Sequence, residues 1–164
     1  MELLTETSTE TAELLQYEIE RNKPIPNFTH GAIQSNLVFE LRTILKTTYR
    51  VVSEVSLDTK PLGSTPDVLV FPPQTLDFFD EPAKRSDAPL LAIEIQSPSQ
   101  SNEEMKEKVQ RYFEFGVKSC WIVVPSWQAV LVFDSATHYV FFNDNMLVKD
   151  STLSIKVPIH KVFA

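Results

Sequence analysis

A short apolar run with one acid inside it is the feature that most restricts how this chain can fold. Residues 90–95 read Leu-Leu-Ala-Ile-Glu-Ile, a pattern typical of a buried strand. Glu94 lies within this run, and a carboxylate is almost never fully buried unless it is paired or binds a metal. A second acid, Asp67, follows Pro66 and opens the apolar run 68–71. Two acids on neighbouring buried strands predict a site for a hard divalent cation.

Hydrophobic spacing and turn residues predict the remaining elements. In chain order we expect a helix over 29–47, strands over 49–57, 68–71 and 90–95, a helix over 101–115, and strands over 119–124, 129–133 and 139–142. Residues 72–89 predict a long exposed loop, and residues 153–163 predict an edge strand. The core side of the first helix is marked by Ile33, Leu37, Leu41, Ile44 and Leu45.

The second predicted helix determines the topology. Ser101 and Glu104 form a capping box at its start, and Gly116 is a natural stop. Because this helix joins the strands 90–95 and 119–124, those strands are predicted to be parallel, with a right-handed crossover. The fold class is therefore α/β, with a mixed central β-sheet flanked by helices.

Length and composition limit the class of protein. The 164 residues predict an N-terminal helical or flexible segment over 1–22 and a single domain over 23–164. No apolar run is long enough to span a bilayer, and the acidic start lacks the pattern of a signal peptide. A single cysteine suits a reducing compartment, so we expect a cytoplasmic protein. The net charge of -7 argues against non-specific coating of nucleic acid.

A lysine interrupts the apolar side of the second predicted helix. At about 100° per residue, Met105, Val109 and Tyr112 lie on one apolar arc, and Lys108 falls inside it. A lysine in such a position can extend its ammonium group outward to water. Alternatively, Lys108 points toward Glu94, because the helix begins directly after that strand. A nuclease needs such a cation to position the attacking water and to offset charge on the phosphate.

Several short motifs, spread over residues 26–125, occur in an order that is similar to a known family. They are Thr29-His30-Gly31, Pro66-Asp67-Val68, Glu94-Ile95-Gln96-Ser97-Pro98-Ser99, Lys108-x-x-x-Tyr112, Gly116-Val117 and Trp121-Ile122-Val123. Asp67 and the Glu94-x-Gln96 motif resemble the PD-(D/E)XK nuclease superfamily. The full set resembles its Uma-type family of small bacterial restriction endonucleases. The resemblance implies a restriction-endonuclease-like core.

The same resemblance implies roles for individual residues. Asp67 and Glu94 correspond to Mg²⁺ ligands, and the backbone carbonyl of Ile95 is a candidate third ligand. Gln96 occupies the position where the superfamily usually has its catalytic lysine, and it can still orient water or a phosphate oxygen. Lys108 is then the catalytic lysine in a migrated position.

His30 and Glu40 are further candidates for accessory roles. His30 near the start of the first helix could face the site or simply pack there. Glu40 could complete a metal shell or be solvated.

The main candidates also have structural alternatives. Asp67 could be satisfied by backbone amides, Glu94 could be paired with a basic residue, and Gln96 could cap the loop.

The predicted function is that of an enzyme, a Mg²⁺-dependent endonuclease that hydrolyses DNA phosphodiester bonds and accepts Mn²⁺ as a substitute. The expected partner is nucleic acid, with DNA as the expected substrate. No membrane partner is expected, and a homodimer is a candidate assembly. The rival is a catalytically weakened module of the same fold that binds DNA or a protein partner without cutting. Gln96 in the lysine position and the net charge of -7 favour this rival.

Two expectations test the catalytic interpretation, one about a distance and one about a pKa. The ammonium group of Lys108 is expected within about 8 Å of the two acids, because charge stabilisation falls with distance. Two unpaired carboxylates at one point are expected to repel each other, which would raise the pKa of at least one of them.

Overall fold

The computed structural model describes residues 23–45 and 47–164, so the predicted N-terminal segment over 1–22 lies outside the described residues. The helices in chain order are α1 (Phe28–Leu45), α2 (Asn102–Phe115) and the short α3 (Ile159–Val162). The strands are β1 (Arg50–Ser53), β2 (Val68–Phe71), β3 (Leu91–Ile95), β4 (Ser119–Val124), β5 (Ala129–Ser135), β6 (His138–Phe142), β7 (Leu147–Asp150) and β8 (Ile155–Pro158). In this part of the chain, no helix is long and apolar enough to cross a membrane.

The central sheet has six strands in the order β1-β2-β3-β4-β5-β6. Strands β3 and β4 are parallel and are joined by α2, whereas the other neighbouring pairs of this sheet are antiparallel. The predicted mixed α/β sheet is therefore confirmed. In the parallel register Glu94 lies opposite Ile122, so the acid stands in the middle of the sheet.

Each face of the sheet is covered by one long helix. Helix α1 packs with Ile93 and Ile95 in one apolar cluster, and α2 packs with Ala92 in the other. Because successive side chains of a strand point to opposite faces, Glu94 shares the α2 face with Ala92. The α1 core positions were predicted correctly except for Ile44, which is exposed.

The predicted strand over 49–57 is shorter in the structure, where β1 ends at Ser53. Glu54 follows with a φ of 56°, a left-handed conformation that interrupts an extended strand. Leu57 instead forms isolated β-bridges with Ser64 and Arg85. The predicted 72–89 loop is consequently held at Arg85 rather than running free.

The end of the chain also differs from the predicted edge strand. Strand β8 pairs with β7 in a separate two-stranded sheet instead of extending the central one. Asp150 at the end of β7 is buried and accepts hydrogen bonds from Ser119 Oγ (2.5 Å) and Trp121 Nε1 (2.8 Å). Its other oxygen accepts the backbone N–H groups of Thr152 and Leu153. This acid, which the sequence pattern did not single out, ties the hairpin to β4.

Replacing Asp150 by Ala is expected to lower the free energy of unfolding by about 3 kcal/mol, because buried donors on Ser119 and Trp121 lose their acceptor. Urea denaturation followed by circular dichroism measures the change. Asp134→Ala is the control, since Asp134 pairs with His138 at the surface, where an ion pair contributes little. Equal losses in the two variants would contradict an anchoring role for Asp150.

Candidate functional site

Asp67 and Glu94 lie side by side at the centre of the sheet. The backbone N–H of Asp67 donates to the carbonyl of Ile93 (3.0 Å), and Asp67 Oδ2 accepts the N–H of Ile95 (2.7 Å). Asp67 is therefore bonded to β3 on both sides of Glu94. Their exposed fractions are 0% and 1%, so both carboxylates need partners inside the protein.

Glu94 finds its partners on α2. The Tyr112 hydroxyl donates to Glu94 Oε1, and Lys108 Nζ lies 3.5 Å from the same oxygen. Lys108 and Tyr112 are four residues apart, so they lie on the same side of the helix. The ammonium group of Lys108 thus turns inward rather than out to water, and it lies within the expected distance of Glu94.

Lys23 is the partner of Asp67 that the sequence did not suggest. Its Nζ lies 2.5 Å from Asp67 Oδ1 and donates to the carbonyl of Thr65 (2.9 Å). The residue is only 7% exposed, although it stands in the proline-rich connector before α1. The connector pattern Lys23-Pro24-Ile25-Pro26 indicates a break in helix but carries no signal for a buried ammonium group.

Helix α1 contributes two more contacts to Asp67. His30 Nε2 lies 3.1 Å from Asp67 Oδ1, and Gln34 Nε2 donates to the Asp67 backbone carbonyl (3.1 Å). Asn27 Oδ1 accepts the backbone N–H of His30 and so fixes the first turn of the helix. The other ring nitrogen of His30, Nδ1, is buried and has no hydrogen-bond partner within the described residues.

The charges of this cluster are set by pairing more than by repulsion. Burial by itself would raise the pKa of Asp67, but the hydrogen bond from His30 and the charge of Lys23 outweigh it and lower that pKa. For Lys23, burial would lower the pKa, and the nearby Glu94 and Asp67 carboxylates raise it instead. The expected rise from carboxylate repulsion is therefore wrong for Asp67, because a cation stands beside it.

Two other side chains near Glu94 stay protonated. Burial, with Glu94 adding to it, raises the pKa of Tyr112 well above its usual value, so the hydroxyl stays a hydrogen-bond donor. Burial and Glu94 likewise raise the pKa of Cys120 well above the ordinary value, against a smaller opposing effect of Lys108. Cys120 is fully buried in the core, where a thiol with a raised pKa is inert.

The sequence of this chain matches a known protein family. The family model Uma2, described as "Putative restriction endonuclease", matches residues 1–156. The chain belongs to the Uma2 family. The predicted resemblance to the Uma-type family is thereby confirmed.

A solved structure has the same fold as this Uma2 chain. The crystal structure of a putative nuclease belonging to DUF820 from Anabaena variabilis ATCC 29413 superposes with a TM-score of 0.74 and 24% sequence identity. The match covers 85% of this chain and 83% of that chain. No curated protein matches the chain. The structural similarity confirms the predicted mixed α/β fold.

Two predicted site residues of the Uma2 chain are not turned toward the acids. The Gln96 amide donates to the Gln100 carbonyl (3.0 Å) and to Asn102 Oδ1 (3.2 Å), so it holds the loop before α2. Glu40 is half-buried on α1, and at 1.5 Å per residue it lies about 15 Å along the axis from His30. His30 is therefore the member of the accessory pair that the fold brings to the site.

The donor set of the Uma2 chain fits Mg²⁺ with one condition. Among the described residues, no group of three or more His, Cys, Asp or Glu side chains could hold a metal ion. Two carboxylates are nevertheless a sufficient protein contribution, since Mg²⁺ usually keeps several waters and binds substrate phosphates. Asp67 Oδ1, however, is already engaged by Lys23 and His30. Mg²⁺ coordination at this oxygen would therefore require Lys23 to move away.

A groove of about 1570 Å³ opens beside the site, and His30 and Gln96 form part of its lining. The groove continues between α2 and the outer strands, where Trp127 and Tyr139 supply aromatic surface. Apart from His30, its charged lining residues are Glu103, Lys106, Glu107 and Glu114. This excess of acids does not favour a nucleic acid backbone.

Proposed function

We propose that this Uma2 protein hydrolyses DNA phosphodiester bonds in a reaction that depends on Mg²⁺, with Mn²⁺ as a substitute. The observation that carries the proposal is that Lys108 Nζ lies 3.5 Å from Glu94 Oε1, while the buried Asp67 is bonded to the backbone on either side of Glu94. Membership of a family whose description is "Putative restriction endonuclease" supports the same activity. A bacterial cytoplasm, a DNA partner and a homodimer stay predictions.

In the proposed site the residues have separate tasks. Asp67 and Glu94 would hold the ion, with the Ile95 carbonyl as a predicted third ligand. When bound, Mg²⁺ lowers the pKa of a coordinated water and polarises the phosphate. Lys108 would orient the water that bonds to phosphorus as the bond to the leaving oxygen breaks, and its charge would stabilise the phosphate in the transition state.

Tyr112 would act in this site as a positioning residue. Its hydroxyl and Lys108 both contact Glu94 Oε1, which leaves the orientation of the Glu94 carboxylate fixed from the α2 side. The raised pKa of Tyr112 keeps the hydroxyl protonated at neutral pH. Neighbouring groups commonly tune a metal site by fixing the orientation of a carboxylate ligand.

Tyr112→Phe, which removes only the hydroxyl, is expected to weaken Mg²⁺ binding by about tenfold, since groups behind a metal ligand typically contribute 10- to 100-fold. Isothermal titration of each protein with MgCl₂ measures the affinity. Tyr139→Phe removes the same group from an exposed position on β6 and is the matched control. Unchanged affinity in folded Tyr112→Phe protein would exclude the positioning role.

The experiment that tests the proposed function is cleavage of supercoiled plasmid by the purified full chain. Nicking is expected with Mg²⁺ or Mn²⁺, no nicking with a chelator, and loss of nicking in Asp67→Ala. Activity that survives both the chelator and the Asp67→Ala substitution would show that another protein or another site cuts the DNA.

Two observations favour the second function, a module that binds DNA or a protein partner without cutting: Lys23 occupies Asp67, and Gln96 is used by the loop. The acidic groove favours a protein partner over DNA. Folded protein that cleaves under no metal condition, but that still retains a DNA or protein ligand, would favour this function over the nuclease.

A further inference from the structure

We propose that Lys23 neutralises the acid pair in the metal-free protein, and that a divalent metal must displace Lys23 from Asp67 in order to bind. The inference rests on the proposed metal site and concerns its regulation. In the metal-free protein the Lys23 contact keeps the site closed to the ion, and metal binding frees the connector that carries Lys23.

The contact has the geometry of a bound cation. Lys23 Nζ lies 2.5 Å from Asp67 Oδ1 and 2.9 Å from the Thr65 carbonyl, so two oxygen atoms surround the ammonium group. Glu94 lies close enough to act on Lys23 through its charge. A hard divalent cation held by the two acids would therefore compete with the ammonium group for Asp67 Oδ1.

Lys23 and a metal ion cannot share Asp67. Oδ2 accepts the Ile95 N–H, and Oδ1 already contacts Lys23 and His30. Two like charges about 4 Å apart repel strongly in a buried site, where the effective dielectric constant is far below that of water. Metal coordination at Oδ1 therefore requires the ammonium group to move away.

Among the basic partners of the two acids, Lys23 is the one best able to leave. His30 lies on the buried side of α1, and Lys108 lies on the packed side of α2. Lys23 precedes α1 in a segment without helix or strand, and its contact with Asp67 joins residues 44 positions apart in the chain. Its departure would leave both helices intact.

The first test measures the chemical accessibility of Lys23 in the wild-type full chain. An acylating reagent modifies lysines in short pulses, and peptide mass spectrometry reads each position with and without MgCl₂ or MnCl₂. Lys23 is expected to be protected without metal and to react about tenfold faster with saturating metal, as its population shifts out of the pair. Lys60 and Lys106 are exposed internal controls whose rates should not change.

The second test measures metal affinity by titration calorimetry. Lys23→Met is expected to bind Mg²⁺ about tenfold more tightly than wild type, because no cation competes for Asp67. Lys23→Arg keeps the charge and should stay near wild type. Lys156→Met makes the same substitution at an exposed position and is the matched control. Because binding stabilises the folded state, Mg²⁺ should also raise the Tm of Lys23→Met more than that of wild type.

The outcomes separate this inference from the proposed function. Metal binding that depends on Asp67, with Lys23 still protected and Lys23→Met no tighter, would overturn the exchange and leave the metal site standing. Tighter binding in Lys23→Met, or binding found only in that variant, supports the exchange. The absence of metal binding in both folded proteins would overturn both. The labelling test on wild type decides the matter if Lys23→Met does not fold.

Discussion

Replacement of Lys108 by Met is expected to lower the kcat of plasmid cleavage by about a hundredfold or more. The reason is the position of its ammonium group, 3.5 Å from Glu94 Oε1 and buried against the sheet. A fixed charge in such a site contributes several kcal/mol to the transition state, and each 1.36 kcal/mol is a factor of ten in rate.

The control is Lys106→Met, the same substitution two residues earlier on α2, where the side chain is exposed and pairs with Glu103. This variant should keep kcat within about twofold of wild type, since surface pairs contribute little. Lys108→Arg keeps the charge with a different shape and should retain part of the activity. A Lys108→Met enzyme with normal kcat would assign Lys108 a structural role and leave Lys23 as the candidate for the catalytic cation.

Replacement of Asp67 by Asn in the metal-free protein is expected to lower the free energy of unfolding by about 3 kcal/mol, since it leaves a buried ammonium group without its counter-charge. Denaturation by urea in the presence of a chelator measures the change. The matched control is Asp87→Asn, whose partner Arg85 lies in an exposed pair and whose loss should cost under about 1 kcal/mol.

The difference between wild type and Asp67→Asn should also depend on pH. The pKa of Asp67 is lowered in the folded protein, so the folded state holds this proton less tightly than the unfolded state. The stabilisation is thus fully present above the ordinary pKa of 3.8 and is lost as the pH falls through the lower folded value. The two unfolding curves should converge once the pH is below that folded value. A gap that persists there would assign the effect to shape rather than charge.

The sequence by itself determined the features that depend on local pattern. Apolar residues four positions apart, from Ile33 to Leu45, placed α1 against the sheet, and the apolar run around Glu94 placed that acid inside the sheet. The crossover helix α2 required the parallel pair of β3 and β4. Lys108 was readable as unusual because it breaks an apolar arc, and the Asp67 motif was readable because it opens the neighbouring strand.

Only the tertiary structure decided which charged atoms meet. The Lys23 contact joins the connector to Asp67, 44 residues later and directly before β2. Such a long-range pairing leaves no periodic pattern in the sequence. Gln96 turned to its own loop, and Asp150 took two donors on β4, for the same reason. Local spacing specifies which side of an element is buried, whereas long-range packing specifies the partner, because a buried polar atom bonds to whatever the fold brings within reach.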